Sequence, residues 1–278
     1  MHIYKDYDQA ALDRQYNNRL QTPGYVVHLQ RWFDERRQTE KELPFIHDIA
    51  YGEMERERLD IYPSPQPGSK TLVFIHGGYW QRLDKSDFQF IAKAFHPLGI
   101  TTVLLTYPLA PAASMDQIVT SCSKAMQWVY TNIARYNGNP DWLYLAGHSA
   151  GAHLVAMLMT THWEQNIIKG AAALSGLFNL TPIMLADINE VLNLNKEMAD
   201  RNSPVHLQPA HPCPLVLAVG GDETIEFKAQ SEELYDRWKE KGVPVTFMEM
   251  PGINHYSIVK KLPDNTSAIC AAMIVRMR

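Results

Sequence analysis

The sequence predicts an α/β protein in which a mostly parallel, eight-stranded sheet is flanked by helices. Short apolar runs alternate with helical segments through most of the chain, and this alternation is typical of parallel sheets that are covered on both faces. One apolar run ends in Gly-His-Ser-Ala-Gly at residues 147–151 and passes directly into an apolar helix. This arrangement of strand, sharp turn and helix exposes a serine above a sheet.

The chain before the first strand is predicted to be helical. Residues 1–44 show the apolar spacing of helices at 8–20 and 25–40, and Pro44 stops the second helix. These helices either cover a face of the sheet or help to wall a site. Two extended runs follow, at residues 45–50 and 58–62. They predict an antiparallel hairpin at the edge of the sheet.

The rest of the chain alternates strands and helices. Further strands are predicted at residues 71–75, 101–106, 142–146, 170–174, 215–219 and 245–250. Helices are predicted at residues 85–95, 115–136, 225–241 and 263–277, and from the serine turn to residue 162. Residues 177–209 contain several prolines and weak helical patterns, so we expect a small cap-like insertion there. The expected organisation is one domain over residues 1–278, with a helical segment at 1–44.

Composition narrows the class of partner. The hydrophobic fraction of 46%, the charged fraction of 20% and the net charge of −4 are ordinary for a globular protein and provide no basic field for nucleic acid. No apolar run approaches the roughly 20 residues that span a bilayer, and the first residues lack the apolar core of a signal peptide. We expect a cytoplasmic protein with a small-molecule substrate and no membrane partner. The oligomeric state stays open, with a homodimer among the alternatives.

The cysteines and histidines do not indicate a cofactor or a metal site. Cys122, Cys213 and Cys270 are odd in number and far apart in the sequence, which is typical of reduced thiols rather than of a disulfide framework. The sequence has no Cys-X-X-Cys pair and no His-Glu-X-X-His motif. We therefore expect no cofactor and no bound metal ion.

Three polar residues that follow predicted strands form a candidate catalytic set, because ligands of open α/β sheets bind at the carboxyl ends of the strands. These residues are Ser149, Asp222 and His255. A serine hydroxyl is a weak nucleophile at neutral pH, so it needs a base, and the base needs a third group that fixes its tautomer and stabilises its cation. The order Ser, Asp, His is typical of the α/β hydrolases.

The acidic residue has close alternatives. Asp222 follows a Gly-Gly pair that lets the chain turn tightly and direct the next side chain towards the site. Glu223 is adjacent, and we expect it to be a solvated carboxylate at the start of the next helix. Asp200 and Asp264 also lie in predicted loops. We predict Asp222 as the acid.

The loop after the strand at 71–75 reads His76-Gly77-Gly78-Tyr79. Acyl transfer places negative charge on a carbonyl oxygen, and the backbone amides of this loop can receive that charge together with the amide of Ala150, the residue after the serine. We expect the histidine of the loop to anchor it rather than to transfer protons. His148 is interpreted as the variable position of the serine turn.

Taken together, these motifs resemble the α/β-hydrolase kynurenine formamidases, also called arylformamidases. They are HGGYWQ at residues 76–81, GHSAGAH at 147–153, GGDET at 220–224 and NH at 254–255, and LDRQYNNR at 12–19 is similar to the N-terminus of that family. The motifs also resemble the wider hormone-sensitive-lipase-like esterases, whose His-Gly-Gly-Gly loop has a tyrosine here in place of its last glycine. The resemblance implies the α/β-hydrolase fold.

The resemblance further implies hydrolysis of N-formyl-L-kynurenine to formate and L-kynurenine, a reaction of tryptophan catabolism. In the related esterases the oxyanion amides are the second and third residues after the loop histidine, which correspond here to Gly78 and Tyr79. Ser149 would then carry a formyl ester that water clears. Trp80, Tyr79 and Tyr107 either stack on the aromatic ring of the substrate or only pack in the core.

Two other functions stay open from the sequence. A short-chain carboxylesterase, or a related amidase or carbamate hydrolase, would use the same serine turn and the same loop. A ligand-binding module without catalysis is the third class, and the presence of all three candidate catalytic residues disfavours it.

Overall fold

The computed structural model describes residues 2–277 and contains an eight-stranded sheet. The strands β1 to β8 are Ile46–Ala50, Arg58–Tyr62, Ser69–Ile75, Thr101–Leu105, Gly138–His148, Ile168–Leu174, Leu215–Gly220 and Val245–Met250. Their order across the sheet is β1-β2-β4-β3-β5-β6-β7-β8. The β1–β2 and β2–β4 pairs are antiparallel and all other pairs are parallel. The predicted fold class and the edge hairpin are confirmed.

Helices cover both faces of the sheet. The helices α1 to α11 are Gln9–Tyr16, Asn18–Gln21, Tyr25–Glu42, Phe90–Phe95, Met115–Asn132, Ala150–Thr160, Thr181–Leu185, Asn189–Leu192, Lys196–Arg201, Ile225–Glu240 and Ala268–Arg276. Core residues of α1, α5, α6 and α10 pack on one face, and those of α3, α4 and α11 pack on the other. Among residues 2–277, no helix is both long enough and apolar enough to span a bilayer.

The position of strand β3 inside the sheet explains why its residues 72–75 are all apolar. Val73 and Ile75 point into the core on one face of the sheet, whereas Leu72 and Phe74 point into the core on the other. Successive side chains of a strand alternate between faces, so a strand buried on both sides needs apolar residues at every position. This double burial places the carboxyl ends of β3 and its neighbours β4 and β5 beside one another.

Several predicted elements differ from the structure in their bounds. The helix predicted at 8–20 divides into α1 and α2 because the Asn17 side chain accepts a hydrogen bond from Leu20 N and caps a new helix. Strand β5 begins at Gly138, before the strand predicted at 142–146. The last helix begins at Ala268, where Ser267 caps it, rather than at residue 263.

The segment predicted as a cap-like insertion, residues 177–209, contains the short helices α7, α8 and α9. Two side chains from the turn between α7 and α8, Asp187 and Ile188, reach the cavity described below. The segment is therefore placed at the carboxyl edge of the sheet, where a cap would lie.

Candidate active site

Ser149 lies on a sharp turn between β5 and α6. Its backbone has φ 57° and ψ −121°, a left-handed conformation that costs energy for a residue with a Cβ atom. A Cβ atom at Gly147 would lie 2.3 Å from the carbonyl oxygen of Gly151, and one at Gly151 would lie 2.0 Å from the carbonyl oxygen of Ile75. Only glycines fit on either side of the serine, because strand and helix are in backbone contact there.

His255 lies on the loop after β8, and its Nδ1 is 2.6 Å from Oε2 of Glu223. The other carboxylate oxygen of Glu223 accepts hydrogen bonds from the Ser175 hydroxyl at 2.5 Å and from Gly220 N at 2.7 Å. Because both oxygens of Glu223 are engaged and its side chain is buried, the carboxylate is held in one orientation towards the imidazole ring.

The expectation that Asp222 is the acidic partner of His255 is corrected by this geometry. Asp222 is exposed, and its backbone N–H donates to the carbonyl oxygen of Ile253 at 3.1 Å. Glu223, which we expected to be solvated, is the buried carboxylate instead. The physical reason is the tight turn after β7, which is closed by a hydrogen bond from Glu223 N to Gly220 O at 3.1 Å. In this turn the second residue after the Gly-Gly pair points inward.

His148 supports the loop that carries His255. Its Nε2 donates to the backbone carbonyl of His255 at 2.8 Å, and the two rings lie 4.8 Å apart. Burial and the neighbouring imidazole lower the pKa of His148 well below its usual value, so the ring is neutral. The variable position of the serine turn thus holds the loop that carries His255.

Ser149 and His255 line one cavity of about 260 Å³ at the carboxyl edge of the sheet. Neither the Ser149 hydroxyl nor Nε2 of His255 has a hydrogen-bond partner among residues 2–277, so both face the cavity with their hydrogen-bonding capacity free. Catalytic hydrogen bonds are often long before substrate binds and tighten in the complex. Within residues 2–277, no group of three metal-binding side chains was found that could share an ion.

One side of the cavity is an N-terminal wall, which we define as its lining residues between Tyr16 and Trp32. Gln15 attaches this wall to the start of α10, because its carbonyl accepts a hydrogen bond from the Thr224 hydroxyl at 2.8 Å. The first helices therefore combine the two alternatives left open by the sequence, because they pack on the faces of the sheet and also line the cavity. Trp32 also packs against the sheet face with Phe88, with ring centroids 5.2 Å apart.

The loop after β3 contributes Gly78 and Tyr79 to the cavity lining. Gly78 has φ 103°, and a Cβ atom there would lie 2.2 Å from the carbonyl oxygen of Arg82. Tyr79 donates its hydroxyl hydrogen to the carbonyl oxygen of Tyr16 at 2.6 Å, which joins the loop to the N-terminal wall. Ala150 is buried at the first turn of α6. The oxyanion role of the three amides stays a prediction.

Comparison with known proteins decides the family. The family model BD-FAE matches residues 59–177. Kynurenine formamidase from Danio rerio is 36% identical over 230 residues, which cover 79% of this chain and 77% of the relative. Kynurenine formamidase from Salmo salar is 37% identical over 229 residues, with coverage of 78% and 76%. This chain belongs to the kynurenine formamidase family. It is accordingly a hydrolase.

Solved structures confirm the α/β-hydrolase fold of this kynurenine formamidase family member. A candidate thioesterase from a Silicibacter species superimposes with a TM-score of 0.85 at 26% sequence identity, over 95% of this chain and 98% of that protein. The likeness therefore extends over nearly the whole chain.

Two aromatic residues expected near substrate lie elsewhere in this family member. Trp80 is fully buried and packs edge-on against His153, with ring centroids 5.0 Å apart. Tyr107 stacks on His76 at 4.4 Å and donates its hydroxyl hydrogen to the His76 carbonyl at 2.9 Å. Neither residue lines the cavity, so the expectation of substrate contact is corrected for both. Tyr79 does line it.

The cavity residues that the sequence interpretation missed lie outside the sheet motifs. Trp32 and Tyr256 line the cavity with ring centroids 6.2 Å apart. Arg82 lies just beyond the HGGYWQ stretch. The sequence did contain a signal for the N-terminal wall, because the LDRQYNNR stretch at residues 12–19 contains four residues of this wall. The hydroxyl of Ser175, which holds Glu223, follows β6 without any recognisable motif.

The buried His153 predicts a loss of stability in acid. Burial lowers its pKa to about 4, whereas an unfolded histidine titrates near ~6.5. Between these values the unfolded chain binds a proton that the folded chain excludes, so the free energy of unfolding falls as the pH falls. We expect this group to remove about 2 kcal/mol between pH 7.5 and 4.5.

Urea denaturation of the unaltered protein and of His153→Gln at both pH values measures this contribution. The variant is expected to lose less stability on acidification by that amount. His162→Gln, which alters an exposed histidine near the end of α6, is the matched control and keeps the full pH dependence. An identical pH dependence in His153→Gln would contradict the prediction.

Proposed function

We propose that this protein hydrolyses aryl formamides, with N-formyl-L-kynurenine as substrate and formate and L-kynurenine as products. Membership of the kynurenine formamidase family carries the choice of substrate. The buried contact between His255 and Glu223, in the cavity that Ser149 also lines, supports a catalytic triad as the means of hydrolysis. The reaction requires no cofactor in this proposal.

In the first half of the reaction, the Ser149 oxygen attacks the formyl carbonyl while Nε2 of His255 takes the hydroxyl proton. Glu223 accepts a hydrogen bond from Nδ1, which leaves Nε2 as the basic nitrogen and stabilises the imidazolium that forms. The negative carbonyl oxygen is received by the amides of Gly78, Tyr79 and Ala150. The carbon–nitrogen bond then breaks, and His255 returns its proton to the aniline nitrogen that leaves.

In the second half, water attacks the formyl ester on Ser149. His255 takes a proton from the water and delivers it to the serine oxygen as formate leaves. A formyl group has only hydrogen beside its carbonyl carbon, so the acyl side needs little space. An aniline nitrogen also leaves more readily than an alkyl amine once it is protonated.

The amine side of the substrate occupies the aromatic part of the cavity in this proposal. Tyr25, Trp32 and Tyr256 line it, and the rings of Tyr25 and Tyr256 lie 5.5 Å apart at 32°. Aromatic side chains bind flat ring systems by offset or edge contacts. The cap-like insertion also contributes to the cavity lining through Asp187 and Ile188.

The test compares purified protein on N-formyl-L-kynurenine and on p-nitrophenyl acetate. We expect kcat/KM to be higher for the formamide, because the aromatic cavity contributes binding energy that the small acetate ester does not use. Turnover of the ester with no detectable turnover of the formamide would reject the proposed substrate.

Ester hydrolysis is the second candidate function. It is favoured by the structural similarity to the candidate thioesterase, whose TM-score is 0.85, because the same triad and oxyanion amides cleave esters and amides. A short-chain carboxylesterase, or a related amidase or carbamate hydrolase, would prefer esters in the assay above. A strong preference for the formamide over every ester tested would reject this candidate.

A further inference from the structure

Arg82 differs from the other half-buried arginines of the chain. Among residues 2–277, each of the others has a hydrogen-bond partner for its guanidinium group: these are Arg36, Arg56, Arg58 and Arg276. The Arg82 guanidinium has no hydrogen bond and no carboxylate within 4.0 Å in the described part of the chain. A guanidinium that is withdrawn from water without a partner costs free energy.

The position of Arg82 ties it to the catalytic machinery. Its backbone N–H donates to the carbonyl of Gly78 at 3.1 Å, so the residue closes the turn that carries the predicted oxyanion amides. Its side chain lines the same cavity as Ser149 and His255. A group bound by this guanidinium therefore lies in the cavity that Ser149 and His255 also line.

A second cation faces the same cavity. Arg19, from the N-terminal wall, lies with its guanidinium carbon 5.6 Å from the ring centre of Tyr25 and forms no ion pair with a described residue. Burial and the nearby positive charge of Arg19 lower the pKa of Arg82. Asp187 also lines the cavity but lies beyond 4.0 Å from both guanidinium groups. The two arginines thus lack the anion that would offset their repulsion.

We propose that Arg82, together with Arg19, binds a carboxylate on the amine side of the substrate and so selects aromatic formamides that carry an α-carboxylate. A planar guanidinium presents paired donors that match the two oxygens of a carboxylate. The inference rests on the proposed function for the identity of the scissile bond, since the carboxylate belongs to the part of the substrate that leaves as the amine.

Direct binding tests the inference without any turnover. Isothermal titration of the purified protein with L-kynurenine, and with kynuramine, its decarboxylated analogue that retains the amine, isolates the carboxylate. We expect L-kynurenine to bind the unaltered protein more tightly. Arg82→Gln is expected to weaken binding of L-kynurenine by about 10- to 100-fold and that of kynuramine by less than about twofold, as for loss of one charged hydrogen-bonding group.

Two further variants keep the result interpretable. Arg82→Lys retains the charge but not the paired donors, so it should recover part of the loss. Arg14→Gln removes an exposed arginine on α1 that does not line the cavity, and it should leave both affinities unchanged. Circular dichroism confirms that each variant is folded.

Two outcomes would overturn the inference. One is equal affinity of the unaltered protein for both ligands. The other is an equal loss for both in Arg82→Gln, which would mean that Arg82 only shapes the oxyanion loop. Failure of the proposed function is a separate result, because it would appear as absence of formamide hydrolysis whatever the binding data show.

Discussion

Ser149→Ala is expected to reduce kcat for N-formyl-L-kynurenine by about 10⁶-fold, the loss found when the nucleophile of a serine triad is removed. The alanine keeps the backbone of the turn and removes only the oxygen that forms the acyl ester. His255→Ala should cause a similar loss, because nucleophile and base act as a unit. Steady-state kinetics, with formate release as the readout, measures both.

Covalent labelling separates loss of the nucleophile from loss of the fold. A fluorophosphonate probe should label the unaltered protein at Ser149 and should not label Ser149→Ala. Ser123→Ala is the matched control, because its hydroxyl donates to the Val119 carbonyl within α5, away from the cavity. Substantial turnover or labelling in Ser149→Ala would show that another residue carries the acyl group.

Glu223→Gln is expected to lower kcat by about 10³- to 10⁴-fold, whereas Asp222→Asn should change it by less than about twofold. The glutamine amide would donate to Nδ1 of His255 and force the proton onto Nε2. That tautomer cannot accept the proton of Ser149. Asp222→Asn removes a charge one residue away on the exposed side of the same turn, so the two variants are a matched pair.

The Ser175 hydroxyl and the Gly220 amide should still contact the side-chain oxygen in Glu223→Gln, because that oxygen accepts both bonds in the native protein. The loss is therefore expected in kcat with the fold retained, as circular dichroism can verify. A large loss in Asp222→Asn with an active Glu223→Gln would return the acidic role to Asp222.

The sequence was sufficient for the sheet and for two members of the candidate triad. A strand buried on both faces, such as β3, needs apolar side chains at successive positions, and this requirement is visible in a short window of sequence. The turn at Ser149 also leaves a local pattern, because residues 147 and 151 are in such close contact that position 147 has no room for a Cβ atom. Local physical constraints of this kind leave a readable pattern.

The acidic residue could not be assigned in the same way. Asp222 and Glu223 are neighbours in a tight turn, and a shift of one residue in such a turn decides which side chain points inward. The decision depends on distant partners, namely the carbonyl of Ile253 that binds the amide of Asp222 and the hydroxyl of Ser175 that binds Glu223. Neither partner is evident from the residues around the turn.

The residues that line the cavity could not be predicted from the sequence either, for a related reason. Trp80 is adjacent in sequence to the predicted oxyanion loop and Tyr107 follows the neighbouring strand β4, yet both side chains are buried and neither lines the cavity. Trp32 lies far from that loop in sequence and nevertheless lines the cavity. Proximity along the chain says little about lining a cavity whose walls come from segments brought together only by the packing of helices on the sheet.

Because the N-terminal wall is attached to α10, the two parts of the cavity, for acyl transfer and for the leaving amine, are proposed to rest on different elements of the fold. The proposed acyl-transfer groups follow strands β5, β7 and β8. Much of the surface proposed to meet the leaving amine belongs instead to a short N-terminal stretch held by side-chain and backbone hydrogen bonds. Substitutions within residues 16–32 therefore alter the cavity wall and leave the proposed triad residues unchanged. A change of leaving group is accessible to this scaffold through its first helices, and a directed library confined to them would explore new amines without disturbing bond cleavage.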